Sequence, residues 1–141
     1  MDYRKDISFK RWLRLITAPL VWVPLPFMLV LDLTCVIYEY VCFPIYGIEL
    51  VKRKEYILVM DRAKLDYLNG LEKLACMYCG YGNGVLRYLK EIASRTEKYW
   101  CGIMHESTPG FRIQEDQVRQ KFARYGDEKD LLRKYHPNRN K

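Results

Sequence analysis

Histidine is scarce in this chain, with two in 141 residues, and no H-E-x-x-H pairs them, which excludes the helical zinc hydrolases built on that motif. No phosphate-cradling Walker loop occurs, and Gly80, Gly82 and Gly84 do not make a G-x-G-x-x-G after a strand. Ser94, Ser107 and His136 sit in no nucleophile motif. Cysteines number five, an odd count, and no A-x-A-like cleavage site follows the apolar run near the amino terminus. A disulfide framework is therefore unsupported, the thiols are read as reduced, and the apolar segment is expected to be retained. Charge of either sign is missing altogether from Leu15 to Leu31 (LITAPLVWVPLPFMLVL).

Elsewhere charge is plentiful, with 24 Lys and Arg against 17 Asp and Glu, a net +7. Half of the residues are hydrophobic and 14% are aromatic, 12 of them Tyr, so the chain is no disordered basic tail. One domain with a short appendage fits the length. Positive charge brackets the apolar region: Arg4, Lys5, Lys10, Arg11 and Arg14 precede it, and Lys52, Arg53 and Lys54 follow it. Such a bias on both flanks places both ends on the cytoplasmic side of a membrane.

The uncharged run is short for one straight span, since crossing the hydrocarbon takes about 20 apolar residues, and Pro19, Pro24 and Pro26 interrupt it. Pro24-Leu25-Pro26 is read as a break between two helical arms, about residues 8–23 and 27–46. The pair makes an amphipathic or re-entrant membrane-associated hairpin, with Trp12, Trp22, Tyr38, Tyr40 and Tyr46 near the arm ends. Two core helices of a soluble bundle are the bland alternative. In the second arm Asp32, Cys35, Glu39 and Cys42 recur at i, i+3, i+7 and i+10 and so share one helix face. That face either binds a cation or partner helix, or turns to headgroups and water as the membrane-facing polar face of an in-plane helix.

Cys76 and Cys79 form C-x-x-C, followed by Gly80 and the turn-tolerant YGNG, which suggests a metal-binding knuckle. Cys101 and His105 follow at i, i+4, completing the ligand types of a Cys3His zinc site, from which iron is not distinguished. Thiol–disulfide exchange at Cys76 and Cys79 competes with metal binding, as do inert buried thiols. One zinc needs the chain to turn back between Gly84 and Cys101, and Ser94 with Glu97 offers a capping-box break there.

Helical spacing runs through Leu65, Leu68, Leu71 and Leu74, then Val85, Leu89, Ile92 and Ile103. Pro109-Gly110 ends that region, Val118, Phe122 and Tyr125 suggest another helix, and Leu131, Leu132 and Tyr135 a short last one. Only Tyr56–Met60 looks strand-like. Arg87, Lys90, Arg95 and Lys98 alternate with Glu91 and Glu97, a solvated ion-paired face, so nucleic acid is an unlikely partner.

Residues 61–105, with YCGYGNG at 78–84 and KEIASRTEKYWC at 90–101 before His105, and CFPIYGI at 42–48, resemble a family of uncharacterised bacterial membrane-associated proteins. The resemblance implies an inner-membrane setting and supplies no activity. The sequence thus reads as mostly α: a membrane-associated helical hairpin over 1–50, a Cys/His-containing helical bundle over 51–125, and a short helix with a basic tail over 126–141. The expected function is a zinc-binding, non-catalytic interaction or scaffold module on the cytoplasmic face of the inner membrane, with a protein partner or homo-oligomer. A membrane-tethered redox protein using Cys76 and Cys79 is the alternative.

Overall fold

The computed structural model describes residues 16–136. The chain is mostly helical, with a long amino-terminal helix, a second long helix beside it and two short ones. Residues 16–22 are helical and lead into α1, Pro24–Tyr46. The reversal expected at Pro24-Leu25-Pro26 does not occur there. Val23 keeps right-handed helical angles (φ −54, ψ −40), and its N–H still reaches the Pro19 carbonyl at 3.2 Å. Proline needs no donor at the first position of a helix, so Pro24 starts α1 without folding the chain back. Ile16–Tyr46 thus runs as one 31-residue apolar stretch, about 46 Å long at 1.5 Å per residue. Residues 8–15 of the expected first arm lie outside the described residues.

Gly47 ends α1 in the left-handed region at φ 69, where it and Ile48 donate to the last carbonyls. A crossover of residues 48–69 then returns along the helix, with 3-10 turns at Arg53–Glu55 and Arg62–Lys64. The strand-like run Tyr56–Met60 forms no strand, because it lies against a helix and the described residues hold no second strand to pair with.

The second long helix, α2, is Gly70–Trp100, 31 residues. Asn69 opens it with a reciprocal capping box: its side chain accepts from the Glu72 N–H at 2.9 Å, and the Glu72 carboxylate accepts from the Asn69 N–H at 3.0 Å. α2 runs parallel to α1. Trp22 meets Tyr78, Asp32 meets Tyr81, Glu39 meets Tyr88 and Tyr46 meets Tyr99, so both chains advance together.

The crossover fits because glycine recurs on α2 where two backbones touch. A Cβ on Gly80 would lie 2.8 Å from the Leu58 carbonyl, and one on Gly84 2.9 Å from Ile57 Cα. The YGNG text is therefore a close-packing device inside a helix, not a turn around a metal. Phe43, Val51, Tyr88 and Ile92 form the core where α1, the crossover and α2 converge.

Beyond α2, Gly102 turns the chain at φ 63, and Ile103 makes an isolated parallel bridge with Ala123. α3 is Glu115–Arg119 and α4 is Glu128–Tyr135. The helix expected through Tyr125 stops short: Phe122 is fully buried outside it, after Lys121 at φ 59.

Candidate membrane-binding surface

The two sides of α1 are opposite in character to those of a helix packed on a soluble core. Ile16, Leu20, Val23, Phe27, Val30, Leu33, Ile37, Val41 and Ile45 recur every three or four residues and point outward, Phe27 71% and Ile45 75% exposed. Only 6% of the most apolar 18-residue window is buried. An uninterrupted apolar stripe of this length is rare on a protein that meets only water.

The opposite side carries the charges. Asp32 is 5% and Glu39 1% exposed, so the polar face of Asp32, Cys35, Glu39 and Cys42 turns into the protein instead of towards headgroups. Burial of a carboxylate demands partners, and both have them. Arg53 grips Asp32 with both terminal nitrogens, Nη2 at 2.6 Å, and the Tyr81 hydroxyl donates to the same carboxylate at 2.8 Å. Glu39 accepts from the Val51 N–H and the Tyr88 hydroxyl, while the Arg53 guanidinium lies 5.2 Å from the Tyr88 ring centre. The Arg53 pairing holds the Asp32 carboxyl below its ordinary range, and burial with the Asp32 hydrogen bond pushes the Tyr81 phenol up to about 12. At Asp32 an ionised carboxylate thus faces a neutral phenol and a charged guanidinium, a pairing that ties α1 to the crossover and α2.

Sequence reasoning placed Asp32 and Glu39 on one face but missed Arg53, Tyr81 and Tyr88 as their partners. Arg53 read only as a topology charge. Tyr81 and Tyr88 are seven apart and so share a face of α2, a signal that was available in the sequence.

The four zinc ligands do not converge. α2 continues unbroken through Ser94, so the 22-residue step from Cys79 to Cys101 extends about 33 Å along one axis, whereas ligands of one zinc lie about 2.3 Å from it. Ser94 caps nothing; it is buried and accepts from the Gln120 side-chain amide at 2.9 Å. Among the described residues no three His, Cys, Asp or Glu side chains gather as a metal group. Cys76 is half-buried, Cys79 and Cys101 are exposed, and His105 lies 3.6 Å from Glu97 and edge-on to Phe111. Cys76 and Cys79 also lie well inside α2, beyond the amino-terminal N–H groups that lower a thiol's pKa in redox C-x-x-C sites.

Part of the basic face of α2 is ion-paired, as its spacing suggests, while Lys98 meets no carboxylate among the described residues. Lys90 meets Asp116 at 3.0 Å, and Arg95 meets Glu91 at 2.9 Å. Comparison of the chain with protein-family models, curated proteins and solved structures finds no match, so what this surface does is argued from its own residues.

Proposed function

We propose that this protein is a peripheral membrane protein, a non-catalytic adhesion or scaffold module that lays α1 in the plane of the bilayer. The observation that carries the reading is the division of one helix into an outward apolar stripe and an inward side that sequesters its two charges. An in-plane pose is favoured over a crossing because α2 accompanies α1 along its length. A crossing α1 would take Arg53 and the exposed Arg87 and Lys90 into hydrocarbon with it, at about 2.5–3.5 kcal/mol per charge at the centre on the gentler insertion scale. Basic residues on both flanks and the resemblance to bacterial membrane-associated proteins favour the cytoplasmic face of the inner membrane.

Flotation of the full chain with lipid vesicles tests the reading. The parent should float, and a Phe27→Asp, Ile37→Asp double variant, altered only on the outward stripe, should stay at the bottom while keeping its helical circular dichroism. Equal flotation of variant and parent, or a stable water-soluble dimer that covers the stripe, would overturn it. Tags at both ends should resist protease added outside spheroplasts; digestion of one tag only would establish a crossing.

A further inference from the structure

We propose that the groove between the carboxyl-terminal ends of α1 and α2 and the short α4 binds the phosphate-bearing headgroup of an anionic phospholipid. The proposal rests on the membrane reading above and names the lipid chemistry. The groove encloses about 930 Å³, and its walls include Tyr46, Arg95, Lys98, Trp100, Arg119 and Tyr135. Its volume suits a lipid headgroup with the first part of its acyl chains.

Charge selects the ligand's sign. Arg95, Lys98 and Arg119 line the groove with one carboxylate, Glu91, which accepts from both arginines, and Arg119 also meets Asp116 at 2.9 Å. Among the described residues Lys98 has no carboxylate partner, so the walls carry surplus positive charge. The Tyr135 hydroxyl is buried with no hydrogen-bond partner, and burial keeps its proton on, leaving a donor without an acceptor. An anionic oxygen would meet Lys98, whereas a purely apolar occupant would leave it unpaired.

Position selects a lipid over a free anion. Tyr46, the last residue of α1, lines the groove, and Ile45 ends the outward stripe, so groove and stripe finish at the same end of the helix. Tyr46 stacks on Tyr99 at 4.7 Å between ring centres, and Trp100 beside it is 68% exposed. Tyr and Trp gather at headgroup depth, with the ring in the apolar zone and the polar tip in water.

Flotation of the full chain with phosphatidylcholine vesicles, and with phosphatidylcholine mixed with phosphatidylglycerol, tests the proposal. The parent should prefer the mixed vesicles. Lys98→Gln should lower affinity for them about fivefold, the value of one basic contact, and so shrink the preference over phosphatidylcholine. Lys98→Arg should keep the preference. Lys54→Gln, which removes an exposed cation outside the groove, should have a smaller effect than Lys98→Gln. Equal losses from Lys54→Gln and Lys98→Gln would reduce the effect to general surface charge and overturn the groove. Binding to both vesicles without preference would overturn it while leaving the membrane reading intact, and failure to bind either would overturn both. Abolition of the preference by excess inorganic phosphate would assign the groove to a soluble anion and overturn the lipid.

Discussion

Glu39 and Gly84 show how single residues hold this molecule together. Glu39→Leu keeps the bulk and removes two acceptors, leaving the Val51 N–H and Tyr88 hydroxyl buried and unpaired. At about 1–3 kcal/mol for each orphaned group, the variant should lose about 2–6 kcal/mol, read by denaturant melting. Glu39→Gln should lose less, since an amide can still meet both partners. Gly84→Ala sets two effects against each other. Alanine gains up to about 1 kcal/mol in helix propensity, yet its methyl meets Ile57 Cα and the Tyr56 carbonyl at 2.9 Å, and backbone cannot swing aside. Strain should win by about 1–3 kcal/mol, and a melting temperature above the parent's would show that the crossover does not press on α2.

At the level of elements, helical content was legible and helix ends were not. The apolar spacing of Leu71 to Ile92 is strong and the structure follows it, but the glycines at 80, 82 and 84 misled because their usual meaning is a turn. Here all three have close packing on the side where a Cβ would stand. Two capping-box patterns compete in this region, N-x-x-E at Asn69 and S-x-x-E at Ser94. The first opens α2. The second is overridden because Ser94 lies on the buried side of a helix already formed, where Gln120 satisfies it. With Cys76 and Cys79 held along α2 far from Cys101 at its end, chelation by EDTA under reducing conditions should leave the melting temperature unchanged. Cooperative unfolding on chelation would instead point to metal shared between copies.

α4 carries a pH dependence of its own. Asp130 accepts from Lys134 at 2.8 Å, the Arg124 N–H at 3.0 Å and Arg133 at 2.5 Å, and these donors hold its carboxyl well below the ordinary 3.8. A folded value lower than the unfolded one contributes stability above about pH 4, lost as pH falls through the depressed value. Docking of α4 should therefore weaken only in strong acid. Asp130→Asn should flatten that acid limb, as amide exchange of residues 128–135 would report.

Across the whole molecule, the sequence disclosed an apolar helix with a polar face but not the direction of that face. Direction depends on α2 arriving parallel to α1, and the pairings that fix it lie far apart in the chain: Tyr88 is 49 residues from Glu39, and Tyr38 bonds Thr96 across 58. No local pattern encodes such distances. The outward stripe was legible as hydrophobicity, whereas the groove was not, because its walls come from four helices.

The buried seam also imposes an order on synthesis. Arg53 follows Asp32 by 21 residues and Tyr88 follows Glu39 by 49, so at about 5–20 residues per second α1 leaves the ribosome seconds before its carboxylates find their partners. In that interval each bare carboxylate opposes entry into hydrocarbon by about 2.5–3.5 kcal/mol on the gentler insertion scale. On the in-plane reading proposed above, the two acids that later fasten α1 to its neighbours would first weigh against its insertion as an ordinary span, while the rest of the chain closes over them.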